Sequence, residues 1–154
     1  MTLLFAFAIG IIAGLRSMTA PAATCWAAYL GWLNLRQSSL AFMGSIWAVA
    51  VFTLFAIAEL IADKLPGTPS RLSAGPLSGR IILGGLCGAA LCAAAGQSAL
   101  VGALVGAVGG IAGALAGYYA RRTLTQSMQI PDFVIALIED VIAVGGALFI
   151  VSRS

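Results

Sequence analysis

Segments 40–62, 77–95, 99–120 and 132–152 are each dominated by apolar side chains over about 20 residues. That length crosses the roughly 30 Å hydrocarbon core of a bilayer at 1.5 Å rise per residue. The N-terminal region is equally apolar but cannot be one element, because residues 2–35 as a straight helix would measure roughly 51 Å. The interruption is GLRSMTAPAA at 14–23. Pro21 lacks a backbone donor and disfavours helix at Ala20, while the hydroxyls of Ser17 and Thr19 can accept from freed amides. The pattern predicts two short helices, 3–15 and 21–33. They form either a span followed by an interfacial helix or a re-entrant hairpin with RSMT at its tip, since non-helical backbone at membrane depth survives only inside protein or beside water. The expected fold is therefore all-α: a polytopic transmembrane helical bundle, one domain over 1–154, with four clear spans plus a broken N-terminal segment.

Composition supports this. With 61% hydrophobic and 8% charged residues and a mean hydropathy of +1.06, the chain carries more apolar surface than a soluble globule of 154 residues can hide. No basic residue precedes the first apolar stretch, which argues against a cleaved secretory signal. The net charge of +3 is spread over short loops and has the character of a topology signal; no nucleic-acid partner is expected. Lys64, Arg71, Arg80, Arg121 and Arg122 fall on one side of the spans, Arg36 and Arg153 on the other, so the first group is expected at the cytoplasmic face and the C-terminus outside it. Trp26, Tyr29 and Trp32 recur every three residues, as an interfacial aromatic band or as plain packing.

The span 99–120 carries Gly102, Gly106, Gly109, Gly110, Gly113 and Gly117 at spacings of three and four. These are expected along one stripe, where small residues let helix backbones approach closely in lipid, either within the chain or in a homodimer.

The remaining chemistry is ionic. Glu139 and Asp140 lie seven and eight residues after Asp132, roughly 10 Å into the last span. Glu59 and Asp63 are four apart and share a helix face at the end of the 40–62 span. A carboxylate at that depth costs a few kcal/mol unless it meets a partner, a proton or water. The cytoplasmic third is thus expected to gather Glu59, Asp63, Glu139 and Asp140 against Arg80, Lys64 and Arg71. In RSMTAP and RLSAGP an arginine stands five residues before a proline, Arg16 before Pro21 and Arg71 before Pro76, so each marks a helix start that can hold an anion or face a carboxylate. The candidate ligand or ion-path set is Arg16, Ser17, Thr19, Pro21, Glu59, Asp63, Lys64, Arg71, Arg80, Glu139 and Asp140.

No histidine occurs, and Cys25, Cys87 and Cys92 have the setting of small core hydrophobes, so no metal site and no cofactor are expected. Ser78 lacks an activating base and the spacing of an intramembrane protease, so no enzyme is expected.

GLRSMTAP, AELIADKLPGTPSR, GPLSGRIILGG and ALIEDVIA together resemble the bacterial membrane family catalogued as domain of unknown function 4126. The resemblance spans nearly the whole chain. It rests on Gly14, Leu15, Arg16 and Pro21, on Glu59, Asp63, Lys64, Pro66 and Gly67, and on Glu139 and Asp140. It implies a multi-pass module of the bacterial inner membrane with membrane lipids as partners. The polar set suits a small transporter or channel for an anionic or amphipathic solute; a non-transporting assembly factor or lipid-organising scaffold is the other class.

Overall fold

The computed structural model of the chain describes residues 1–63, 73–127 and 131–154. Its elements are α1 (Thr2–Leu15), α2 (Thr19–Tyr29), a 3-10 turn (Ala41–Gly44), α3 (Ile46–Ala62), α4 (Ala74–Ala94), α5 (Ala99–Ser127) and α6 (Asp132–Arg153). No strand occurs among the described residues. Among the described residues, three helices are long and apolar enough to cross a membrane, within 74–94, 99–126 and 133–153.

The expected fourth span over 40–62 is corrected. Ser45 is extended and its Oγ accepts from the Ala48 amide at 3.2 Å, so it starts α3 there. The preceding residues wind as a single 3-10 turn, leaving a 17-residue helix of about 25 Å. The second short helix ends at Tyr29 rather than 33. Gly31 takes φ of +82°, its amide bonds back to Ala28 and the Trp32 amide to Ala27, a Schellman closure in which glycine carries no steric penalty. The break in the N-terminal segment lies at Arg16–Met18, ahead of Pro21. Pro21 and Pro76 each stand third in their helices, within the first turn, where a missing donor costs nothing.

Residue pairings give the helix directions. Gly84 and Gly88 of α4 lie against Gly106 and Gly102 of α5, so these two run antiparallel, whereas Gly10 and Gly14 of α1 meet Gly106 and Gly110 and run parallel to α5. Trp26 of α2 bonds Thr53 of α3, and Ser17 bonds Glu59, so α2 and α3 are antiparallel. α1 and α2 thus form a hairpin with Arg16–Met18 at its tip. The tip, the C-terminal ends of α3 and α5 and the N-terminal ends of α4 and α6 lie together at what is called here the polar end.

The glycines of α5 do not make one stripe. Gly102, Gly106 and Gly110 face α4, while Gly109 and Gly113 face Phe7, Gly10 and Ile11 of α1; Gly117 is buried. At Gly10, Gly84 and Gly106 the backbones come so close that a methyl group on any of them would strike a backbone carbonyl of a neighbouring helix. Lipid tails are as apolar as leucine, so association here comes from this close van der Waals contact, which only glycine permits. The glycine packing is thereby used within the chain. α1, α4 and α5 share the most extensive contacts in the structure. Among the described residues, α3 packs chiefly against α2 and the 41–44 turn, and α6 against α2 and α1. Cys25, Cys87 and Cys92 are buried as free thiols. Trp26, Tyr29 and Trp32 are about half exposed, with Trp26 and Tyr29 edge-to-face at 6.1 Å.

Candidate functional site: a charge cluster at the hairpin tip

The break leaves two helix ends facing each other inside the bundle. α1 ends with bare carbonyls and no basic residue in its last turn; α2 begins with bare amides and no acidic residue in its first turn. Both complements come from other helices. Arg80 of α4 donates through Nη1 to the Gly14 carbonyl and, at 3.1 Å, to that of Leu15. Glu59 of α3 accepts from the Ser17 amide at 2.8 Å, the Ser17 hydroxyl at 2.6 Å and the Met18 amide at 2.8 Å. A cation at a helix C-terminus and an anion at an N-terminus are the favourable placements for the helix dipoles, and charged acceptors make the stronger hydrogen bonds.

Between these ends sits Arg16, 1% exposed and extended in backbone. Its guanidinium meets Asp63 Oδ2 at 2.6 Å and Asp140 Oδ1 at 2.5 Å, and Nη2 lies 3.4 Å from the Ala136 carbonyl. Asp63 also meets Arg121 of α5 at 3.0 Å, and Arg121 stands 4.0 Å from Glu139 Oε2. Exposure rises outward along this chain of charges, from 1% at Arg16 through 12% at Asp63 to 19% at Arg121. The cluster is deepest at the tip and opens toward the polar end.

Most of the sequence-derived set therefore converges: Arg16, Ser17, Glu59, Asp63, Arg80, Glu139 and Asp140. Lys64 and Arg71 lie outside the described residues. Two expectations change and one alternative is resolved. The amides at the break are satisfied by Glu59, not by Ser17 or Thr19; Ser17 donates its own hydroxyl, and Thr19 Oγ1 is buried without a hydrogen-bond partner among the described residues. Arg16 Nε is likewise buried without one. The α2 N-terminus, read as an anion site or a carboxylate site, is filled by a carboxylate. Arg121, assigned from sequence only to topology, belongs to the cluster. The signal for it was positional, since it directly follows the last apolar turn of α5 and so falls at the level of Asp63 at the end of α3.

Glu59 offers a direct test of the capping role. Glu59→Gln keeps the shape but replaces one accepting oxygen with a donor that faces an amide or a hydroxyl. A loss of about 1.5–3 kcal/mol is expected, seen as a lower thermal unfolding midpoint in detergent micelles. A midpoint within one degree of the native chain would rule the capping role out.

The family model described as Domain of unknown function (DUF4126) matches residues 3–153, and the chain belongs to that family. No curated protein and no solved structure matches it.

Proposed function

We propose that this DUF4126 member is a small multi-pass transporter or channel-like protein of the bacterial inner membrane, without enzymatic activity, for a small anionic or amphipathic solute. The charge cluster is its gate. The observation that carries this is the way the deep charges join two unlike parts. α1, α4 and α5 are locked by backbone contact at glycine, whereas α3 and α6 pack more lightly and reach the Arg16 tip through Asp63, Glu59 and Asp140. Both also place apolar side chains in the core, Val49 from α3 and Ala143, Ala147, Ile150 and Val151 from α6, so the latch is one part of their attachment, and its release makes a second arrangement at the polar end available.

The same groups supply a coupling chemistry. Arg16 is held by two carboxylates; a proton taken up by Asp63 or Asp140 removes a negative charge from the guanidinium and leaves it to an incoming anion. Arg16 Nε and Thr19 Oγ1, both buried, are suited to complete their hydrogen bonding with water or a solute atom. Intramembrane ionisable residues that face a bundle interior are characteristic of such paths. Glu139, next to Arg121 and nearer the polar end, is the candidate for passing the proton outward.

Proteoliposomes holding the full chain test this with labelled acetate, lactate and succinate under an imposed pH gradient. Uptake above empty liposomes is expected for at least one anion, with its pH dependence lost in Glu139→Gln. Unchanged pH dependence in that variant removes Glu139 from the path. No uptake of any anion favours the second reading, a membrane scaffold or assembly factor, which the nearly complete internal pairing of Arg16 also suits.

A further inference from the structure

At the end of the molecule opposite the charge cluster lies a cavity of about 380 Å³ that the gate does not use. It is shaped by the Schellman turn at Gly31, which sends the chain back across the end of α2. The next residues then alternate. Leu33 and Leu35 point inward and are almost fully buried, while Asn34 and Arg36 are exposed. Gly44 of the 3-10 turn closes the other wall, close to Ala28. The lining thus combines an apolar floor, including Leu33 and Leu35, with Tyr29, Asn34 and Arg36.

Arg36 is the group that gives the cavity its character. The chain has five acidic side chains, at 59, 63, 132, 139 and 140, and all belong to segments of the polar end. None is on the side of the cavity, and Arg36 has no ion-pair partner among the described residues. Arg36 thus has no acidic side chain at its own end of the molecule to pair with and is open to an anionic ligand. Cavities of this volume suit small ligands, and a guanidinium beside amide and phenol groups is the donor set that recognises phosphate. Half-exposed Trp26, Tyr29 and Trp32 surround the same end, with exposed Trp47 at the start of α3, the placement such rings take at the headgroup level of a bilayer.

We infer that this cavity binds a phosphate group, with Arg36 as its cation and Asn34 and Tyr29 as its hydrogen-bonding groups. The phosphate is that of a lipid headgroup or a free phosphate anion, and the two sources are separable. The site is independent of the proposed gate and stands or falls without it.

The test uses the purified full chain in an uncharged detergent, with unfolding temperature and intrinsic tryptophan fluorescence as readouts. Short-chain phosphatidylglycerol, inorganic phosphate and an uncharged diacylglycerol are titrated separately into the native chain and into Arg36→Gln, Asn34→Ala and Arg153→Gln. Saturable stabilisation is expected with the phosphoglycerol lipid but not with the diacylglycerol. It should weaken at least about tenfold in Arg36→Gln and less in Asn34→Ala, and stay unchanged in Arg153→Gln, the other basic residue of this end. Equal saturation by inorganic phosphate, lost in Arg36→Gln, supports the site with a soluble ligand. Arg36 is exposed, so the unliganded variant should unfold at the native temperature. Binding that survives Arg36→Gln undiminished, or falls equally in Arg153→Gln, overturns the assignment, as does the absence of saturable binding by either phosphate source.

Discussion

Replacing Arg16 by methionine is expected to lower the unfolding free energy by about 3–5 kcal/mol, the usual cost of removing one partner from a buried ion pair. The loss arises less from the contacts removed than from the carboxylates left behind. Asp63 keeps Arg121 at 3.0 Å, while Asp140 loses a guanidinium contact of 2.5 Å to its Oδ1. Arg16→Lys should fall between the two. A compact ammonium on a flexible stem cannot reproduce the planar fork that faces Asp63, Asp140 and the Ala136 carbonyl at once. Titration of the purified chain from mild detergent into dodecyl sulfate, followed by tryptophan fluorescence, measures these differences. The informative variant is the triple change Arg16→Met, Asp63→Asn, Asp140→Asn. Removing a buried arginine together with its carboxylates is often near neutral where removing one partner is not, and the more exposed Arg121 keeps Glu139 at 4.0 Å, so the triple variant should recover most of the stability. A single Arg16→Met change costing under about 1 kcal/mol would mean the guanidinium is not held as described.

The second large effect is expected at Gly106. A methyl group there would strike the Gly84 carbonyl, and backbone cannot turn aside as a flexible side chain does. Gly106→Ala should cost about 1–3 kcal/mol through forced separation of α4 and α5, and Gly106→Leu more than that. The contrast is Gly145 in α6, where an added methyl meets nothing within 4 Å. Gly145→Ala should be neutral or stabilise by about 0.5–1 kcal/mol, because alanine loses less backbone entropy in a helix. If the two alanine variants unfold alike, glycine serves α5 only as a common residue of membrane helices and the close approach at Gly106 is not what holds the three-helix body together.

The helices were legible because their signals are local. Run length, the proline of each first turn and the glycine spacing predict α4, α5 and α6 to within a few residues at most ends, and the excess length of 2–35 demands a break. α5 runs on to Ser127 through polar residues past its expected end at 120, and two further boundaries were misjudged for equally local reasons. Ser45 caps a helix inside what reads as one continuous apolar run, and Gly31 ends another before its hydrophobic pattern stops. Neither changes the average hydropathy, so a reading based on apolar length passes over both.

The amino-acid sequence by itself determined that these are apolar helices of membrane-spanning character, that the N-terminal segment is broken within residues 14–23, and that carboxylates and arginines collect toward one end. Tertiary structure alone decided who meets whom: Glu59 on the Ser17 and Met18 amides, Arg80 on the α1 carbonyls, Asp63 and Asp140 on Arg16, and two lines of α5 glycines divided between α1 and α4. The reason is that depth along a helix follows from counting residues, whereas the direction a side chain faces follows from rotation about the helix axis. In α1, α4 and α5 that rotation is set by contacts between glycines far apart in the chain; in α3 and α6 it is set by other packing, and a quarter turn of either would carry the same carboxylates away from Arg16 without altering a residue.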